Sequence, residues 1–260
     1  MKSFLTILGC GSSIGTPRID GYWGNCKKIK ENYRTRCSAF IQKGNNNILI
    51  DTSPDLRQQF LNNKIKSLNS VIYTHEHADQ THGINELRPF FWKYKKRINI
   101  YGDIKTITVW KKQISYCFKK SSSGYPPILK SNIINKKFSL GKNKEIVNFK
   151  VLSVQHGRIK SLGYVFENVA YISDCSKIPK KSLKYLSGLK YLVIDCLKES
   201  RHQSHFNLDD VLKLSNLLKP KKTILTNLHH DLDYNYLLNK TPSNVIPAYD
   251  GMKLNLWKKF

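Results

Sequence analysis

Acidic residues and long apolar runs are scarce in this chain. Only 18 of its 260 residues are Asp or Glu, against 44 Lys or Arg, which gives a formal net charge of +26. Such a charge attracts phosphorylated or polymeric anions without identifying one. No apolar run approaches the roughly 20 residues of a membrane helix, so we expect no membrane partner and a cytoplasmic location.

Closely spaced cysteines are also lacking. The six cysteines lie far apart and contain no CxxC pair, which favours free thiols over a disulfide framework or a zinc ribbon. A chain of 260 residues with 40% hydrophobic content can bury a large core without such cross-links. Since no linker divides it, we predict one domain spanning residues 1–260.

Apolar runs alternate with amphipathic patterns along the chain. Helical spacing near 3.6 residues occurs in 55–65, 103–118 and 207–219, the last beginning at the N-cap Asn207. Strands mixed with helices in both halves predict an α/β fold of two facing sheets with helices outside. The predicted strands are 3 to 8, 38 to 42, 47 to 50, 70 to 73, 98 to 101, 147 to 154, 162 to 172, 190 to 194 and 223 to 225.

The segment THEHADQTHG, residues 74–83, directly follows the apolar run Val71-Ile72-Tyr73. Side chains two residues apart point the same way along extended backbone, so His75, His77 and Asp79 can converge. Imidazoles and a carboxylate at this spacing predict a metal site. The other histidines, at 82, 156, 202, 205, 229 and 230, mostly follow predicted strands too, which packing alone does not explain.

The order of these residues resembles the metallo-beta-lactamase fold of metal-dependent hydrolases. After HxHxD come His156 in SVQHGR, Asp174 in YISDCS, His205 in SHFN and the late TNLHHD. The closest resemblance is to the phosphoribosyl cyclic phosphate phosphodiesterase group of the phosphonate pathway and its uncharacterised bacterial relatives. It is carried by ILGCGSSIGTPR, ILIDTSPDLR, THGINELRPFF, SLGYVF and PAYDGM, and so covers nearly the whole chain. It implies a four-layer αββα sandwich.

The resemblance also implies a ligand set. His75, His77 and His156 would bind a first metal, and Asp174 would bridge to a second that Asp79 also binds. We therefore expect one or two divalent ions, zinc or manganese.

Two positions depart from the group's pattern. It places histidines for the second metal where this chain has Gln80 and Asn227. Amide oxygens ligate hard cations such as manganese but bind zinc less well than imidazole does. His229 or His230 could replace the missing histidine ligands. We predict one metal site of high affinity and one of low affinity.

The predicted chemistry is hydrolysis of a small cyclic or sugar phosphodiester, because such an ion lowers the pKa of bound water toward about 7. By resemblance, Asp79 would orient the attacking water, and His205 would protonate the leaving oxygen or hold a phosphoryl oxygen. A solvent-exposed loop residue is the alternative for His205.

Two other functions remain open from the sequence. One is an RNA phosphodiesterase of the tRNA 3'-end processing type, which the charge favours. The other is a metal-poor, non-catalytic anion-binding protein, suggested by Gln80 and Asn227. The basic segment 92–97, WKYKKR, could contact nucleic acid, although a solvated basic face is the favoured interpretation. A homodimer is also left open.

Two strand-end acids and one loop have alternative roles. Asp51 and Asp195 could orient a ligand imidazole by accepting a hydrogen bond from its ring nitrogen that faces away from the metal. Alternatively, they could act as N-caps of the following helices. The loop Gly9–Gly15 could offer backbone amides to an anion, although its spacing departs from GxGxxG and a tight turn explains it equally well.

Overall fold

The computed structural model describes residues 3–120 and 124–256. Within these residues, the structure contains no helix of the length and apolarity needed to span a membrane. The first half supplies the strands β1 (Ser3–Gly9), β2 (Ser38–Lys43), β3 (Asn46–Ile50), β4 (Ser70–Ile72), β5 (Ile98–Gly102) and β6 (Leu129–Ile133). The second half supplies β7 (Lys137–Leu140), β8 (Val147–His156), β9 (Ile159–Phe166), β10 (Val169–Ile172), β11 (Tyr191–Asp195), β12 (Lys222–Thr226), β13 (Val245–Pro247) and β14 (Met252–Asn255).

These strands form two seven-stranded sheets of mixed direction. The first has the order β14-β1-β2-β3-β4-β5-β6, and the second has the order β13-β12-β11-β10-β9-β8-β7. Strands β3 to β6 are parallel in the first sheet, as are β10 to β13 in the second. Parallel strands end at one edge of their sheet, so residues that follow β3, β4, β10, β11 and β12 are brought to common edges.

Among the described residues, seven helices connect the strands, and all but the second pack on the outer faces of the sheets. They are α1 (Leu56–Asn62), α2 (Ala78–Thr81), α3 (Arg88–Tyr94), α4 (Ile104–Gln113), α5 (Lys180–Leu183), α6 (Leu208–Leu218) and α7 (Tyr234–Lys240). Helix α6 begins where predicted, because the Asn207 side chain accepts a 2.8 Å hydrogen bond from the Asp210 backbone N–H.

Buried apolar residues fall into three clusters that define the layers. The central cluster joins the facing sheets, for example Ile7 and Ile50 of one with Phe149 and Val193 of the other. A second cluster packs the second sheet against α6 and α7, and a third packs the first sheet against α1 and α4. The observed layering confirms the predicted αββα sandwich.

The prediction of one strand over 162–172 is wrong. Two antiparallel strands, β9 and β10, occupy this stretch, and Val169 pairs with Phe166 across a tight turn. Glu167 has the left-handed backbone φ of 48° that the reversal requires. The sequence also gave no signal for β6, β7, β13 and β14, and the helix predicted over 103–118 ends at Gln113.

Candidate metal centre

The chain leaves β4 in an extended conformation that brings two imidazoles together. His77 has φ −62° and ψ 151° and precedes helix α2, so the stretch from His75 to His77 stays extended. The two rings therefore lie on one side, with centroids 4.5 Å apart. The predicted alternation therefore describes His75 and His77, but it is wrong for Asp79, which lies in helix α2 and not on extended backbone.

His156 joins them from the end of β8 in the other sheet. Its ring centroid is 5.1 Å from that of His75 and 5.1 Å from that of His77. Its Nδ1 lies 2.8 Å from the carbonyl oxygen of Ser204, so Nδ1 carries the proton and donates it. The opposite nitrogen, Nε2, is then free of a proton in the neutral ring and lies 3.3 Å from His77 Nδ1.

A chain of hydrogen bonds fixes the ring of His75. Asp51 accepts hydrogen bonds from the Thr74 backbone N–H at 2.8 Å and from the Thr74 hydroxyl at 2.9 Å. The hydroxyl oxygen is then free to accept from His75 Nδ1 at 3.1 Å, which leaves Nε2 as the unprotonated nitrogen. Asp51 thus supports a site residue, and the N-cap alternative for it is wrong.

The electrostatics keep His75 neutral. Burial, followed by the neighbouring His77 and His156, lowers the pKa of His75 to about 3. Its Nε2 is buried and has no hydrogen-bond partner among the described residues. A buried lone pair without a proton donor is what a metal ion would satisfy.

Two carboxylates lie beside the histidines. Asp174 follows β10, is 2% exposed, and its Oδ2 has no hydrogen-bond partner within the described part of the chain. Burial and the charge of Asp174 raise the pKa of Asp79. A cation between these acids would remove the repulsion.

The donor atoms fit a divalent ion in number and kind. One ligand atom from each of His75, His77 and His156 lies within 4.8 Å of the others, and the same holds for His156, Asp174 and His205. Neutral imidazoles with a carboxylate suit zinc or manganese. The second group shares His156 with the first and adds Asp174, the acid expected to bridge to a second ion.

Gln80 and Asn227 occupy positions where their amide nitrogens hold acids. Gln80 Nε2 donates to Asp79 Oδ2 at 3.2 Å, and Asn227 Nδ2 donates to Asp195 Oδ1 at 3.1 Å. Each amide therefore keeps only its carbonyl oxygen for a cation. The Gln80 oxygen is buried and has no hydrogen-bond partner in the ranges that the structure describes.

His205 is paired with Asp195, which ends β11. His205 Nδ1 donates to Asp195 Oδ2 at 2.7 Å, and the backbone N–H of Cys175 donates to the same oxygen at 2.7 Å. Burial disfavours a charge on His205, but the charge and hydrogen bond of Asp195 outweigh it and raise the pKa to about 9. Burial raises the pKa of Asp195 to about 6, and His205 opposes that shift. The N-cap alternative for Asp195 is wrong too, since Asn207 caps α6.

The two histidines considered as substitutes are placed differently. His229 lines the cavity that contains His77 and His156, and its Nδ1 lies 2.9 Å from Asp231 Oδ2. The His230 ring packs edge-on against Tyr22 at 5.3 Å and does not line that cavity. Only His229 is therefore positioned to reach a ligand there.

The cavity itself has a volume of about 370 Å³. Sequence reasoning did not identify Lys198 and assigned His202 no specific role, because loop residues carry no periodic signal. The remaining lining comes from site residues and from one loop of the first sheet: Ser12, Ser13, Ile14, Asp79, Asp174, Leu197, Ser204, His205 and Asn227. A larger cleft of about 800 Å³, lined in part by Thr16 and Arg36, has no histidine in its lining.

The basic segment 92–97 lies away from this cavity. It precedes β5, whereas His75 follows β4, and these neighbouring strands are parallel. The start of one and the end of the other lie at opposite edges of the sheet. The segment is therefore not positioned to contact a substrate bound beside the histidines.

Comparison with known proteins agrees with this arrangement. Residues 46–229 match the beta-lactamase superfamily domain. The chain belongs to the beta-lactamase superfamily. Together with the His and Asp cluster, this membership makes it a metal-dependent hydrolase.

Within the superfamily, a crystal structure of a diphosphatase from the PhnP family is 31% identical and superimposes with a TM-score of 0.88. The match covers 98% of this chain and 97% of the diphosphatase, and it confirms the resemblance predicted from the motifs. Zn(2+)-bound PqqB from Methylobacterium extorquens has a TM-score of 0.77 over 97% of this chain and 100% of its own. Its 14% identity shows a shared fold alone.

Another related protein is named for acyl transfer and not for phosphate chemistry. An octanoyltransferase of Porphyromonas gingivalis (strain ATCC BAA-308 / W83) is 28% identical over 251 residues, which is 95% of this chain. Those residues amount to 50% of the relative, so the chain spans about half the length of that protein.

Proposed function

We propose that this superfamily member hydrolyses a small phosphodiester at a divalent ion, zinc or manganese, held by His75, His77 and His156. The observation that carries the proposal is the convergence of imidazole nitrogens from three histidines on one point. His156 Nε2 lies 3.3 Å from His77 Nδ1, and His75 Nε2 is buried without a partner among the described residues. Hydrogen bonds on the far side of two of the rings hold this arrangement.

When bound, the ion would supply Lewis acidity that lowers the pKa of water and neutralises developing negative charge. The chain's own groups then have separate tasks. Asp79, beside the histidines, accepts a hydrogen bond from the attacking water and orients it. His205, whose pKa is raised to about 9, keeps a proton near pH 7 and donates it to the leaving oxygen.

Asp174 and Asp79 would hold a second ion, and they would bind it more weakly than the three histidines would bind the first. The reason is that Gln80 and Asn227 offer amide oxygens, and their nitrogens already hold the acids Asp79 and Asp195. His229 also lines the cavity and would add a nitrogen ligand.

An anionic phosphoester fits the surroundings of these groups. Lys198, His202 and the protonated His205 line a cavity of about 370 Å³, which is of small-molecule size. The 31% identical relative is named a diphosphatase, which supports phosphoryl chemistry. The name octanoyltransferase belongs to a protein of twice the matched length and supports no acyl transfer by these residues.

A substrate panel tests this function. Protein loaded with zinc or manganese is assayed with bis(p-nitrophenyl) phosphate, the monoester p-nitrophenyl phosphate and the carboxylic ester p-nitrophenyl acetate. We expect the diester to be preferred, with the rate lost on chelation and restored by metal. Metal-dependent cleavage of the carboxylic ester alone would contradict the assignment, and turnover of none would favour an anion-binding protein.

A further inference from the structure

A cavity with an apolar wall lies at the edge of the second sheet. It has a volume of about 530 Å³, which is of small-molecule size. Strand β8, the connection between β6 and β7, and the region of helix α5 supply most of its lining. Among the described residues, none lines both this cavity and the one beside the histidines. The proposed hydrolysis therefore assigns no role to it.

The cavity opens where strand β8 has no neighbour. Strand β7 pairs with the first part of β8 only. Farther along, the N–H groups of Val151 and Gln155 point away from β9 and donate 2.9 Å hydrogen bonds to other backbone oxygens. Ser153 lies midway between them, so its N–H points the same way, where it has no partner among the described residues. This part of the strand edge is therefore open to a ligand.

The wall of the cavity joins two apolar layers of the fold. Leu162 belongs to the central cluster between the sheets, and Ile134 and Val151 pack against that cluster. Leu152 belongs to the cluster outside the second sheet, against which Tyr185 packs. The five side chains all line the cavity, so its apolar surface passes around the edge of β8 from one layer to the other. Such an elongated surface suits an extended aliphatic chain better than a compact ring.

Positive charge surrounds this apolar wall. Asp103, the one acid of the lining within the described ranges, is already the N-cap of α4 and accepts a 2.8 Å hydrogen bond from the Thr106 N–H. Five lysines line the cavity, and none forms an ion pair with another described residue. They are Lys136, Lys137, Lys150, Lys181 and Lys184.

Two of the lysines are held at the cavity by an aromatic ring. Lys150 Nζ lies 3.6 Å from the centroid of the Tyr185 ring, and Lys184 Nζ lies 5.2 Å from it. The ring face attracts both cations. Lysines that only protect a strand edge from pairing with another chain extend into solvent instead. The two ammonium groups are thus placed where an anion in the cavity meets both.

We propose that this cavity binds an aliphatic carboxylate, whose chain covers the apolar wall and whose head group pairs with Lys150 and Lys184. Burial of the chain and attraction between the opposite charges both favour this ligand. The Ser153 N–H offers one more donor. An anionic lipid in a membrane has the same chemistry, but a recessed cavity accepts one free molecule better than a bilayer surface. The inference does not depend on the proposed function.

Isothermal titration of the metal-loaded protein with hexanoate and decanoate, below micelle-forming concentrations, tests the ligand class. Each buried methylene group is worth up to roughly fourfold in affinity, so we expect decanoate to bind roughly tenfold or more tightly than hexanoate. Decyltrimethylammonium, which has the same chain and the opposite charge, should not bind. Equal affinities for the two acids would overturn the inference, and so would binding of anionic phospholipid vesicles without binding of free decanoate.

A pair of double variants tests the location. Lys150→Gln with Lys184→Gln should weaken decanoate binding roughly fivefold or more, because two charges that face the head group are lost. The matched control, Lys213→Gln with Lys222→Gln, removes two exposed lysines that do not line the cavity and should keep the wild-type affinity. Equal affinities in the two double variants would contradict the assignment.

Binding of the carboxylate to the metal ion is separated by kinetics. Decanoate in the cavity should leave the KM for bis(p-nitrophenyl) phosphate unchanged, because no described residue lines both cavities. Competitive inhibition that persists in Lys150→Gln with Lys184→Gln would place decanoate at the ion and overturn the inference. If the protein hydrolyses no phosphodiester, the proposed function fails, but the titrations still decide this inference because they need no turnover.

Discussion

His156 Nε2 and His77 Nδ1, from two different sheets, face each other at 3.3 Å. The carbonyl oxygen of Ser204 accepts a hydrogen bond from Nδ1 of His156, which leaves Nε2 without a proton in the neutral ring. One cation can replace this contact and satisfy both nitrogens together with His75 Nε2. The metal centre therefore depends on contacts between the halves of the chain as much as on the HxHxD segment.

His77→Ala or His156→Ala should abolish tight metal binding and nearly all hydrolysis of bis(p-nitrophenyl) phosphate. Each change leaves two of the three imidazoles, which cannot complete a shell. Elemental analysis and the rate of nitrophenol release measure both effects. His82→Ala is the matched control, since His82 is an exposed histidine of the same segment that does not line the cavity. Normal metal content and rate in either ligand variant would refute the ligand assignment.

Thr74→Val should weaken metal binding by roughly 10 to 100-fold, the usual effect of losing a group that orients a ligand. The valine keeps the shape of the side chain but removes the hydroxyl between Asp51 and His75 Nδ1. Isothermal titration of the metal-free protein gives the affinity. The control is Thr106→Val, because Thr106 is 1% exposed and its hydroxyl has no partner among the described residues. Equal affinities in the two variants would show that the Thr74 hydroxyl does not orient His75.

Asp195→Asn should lower the pKa of His205 from about 9, because burial is then opposed only by the smaller effects of the Asp174 and Asp79 charges. NMR titration of the histidine ring protons in the metal-free protein measures this value. The stability that protonated His205 contributes in wild type is complete below pH 6.5 and is lost as the pH rises through about 9. Asp231→Asn, which removes the partner of His229 instead, should leave the His205 titration in place. An unshifted His205 in Asp195→Asn would contradict the pairing.

Gln80→His combined with Asn227→His should raise the affinity for a second ion, because imidazole nitrogens replace amide oxygens. The change also frees Asp79 and Asp195 from the amide nitrogens that now hold them. Calorimetric titration should give a stoichiometry approaching two, with each single variant between wild type and the double variant. An unchanged stoichiometry would mean that these residues do not occupy ligand positions. Binding is the sharper readout than rate, since a water held between two ions can react more slowly.

The sequence predicted the parts of the site that follow a local rule. Alternation along extended backbone placed His75 and His77 on one side. The helical period of residues 207–219 predicted helix α6, and Asn207 was correctly predicted as its N-cap. Each of these features depends on residues adjacent in the chain.

The parts that sequence reasoning missed depend on partners far away in the chain. The Ser204 carbonyl that orients His156 is a backbone group, which any residue provides. Strand β14 exists because it pairs with β1 at the other end of the sequence, and its four residues have too short a pattern to identify. The reversal at Glu167 interrupts an apolar run that reads as one strand, because the turn contains neither Gly nor Pro.

The most direct test of the central claim is a titration of metal-free wild-type protein with zinc or manganese, with bound metal and diester hydrolysis measured in the same samples. We predict that the rate rises in proportion to the first equivalent bound, and that His156→Ala shows neither binding nor rate in that range. A protein that binds no transition metal at saturating supply, or a rate that does not depend on the bound metal, would contradict the account.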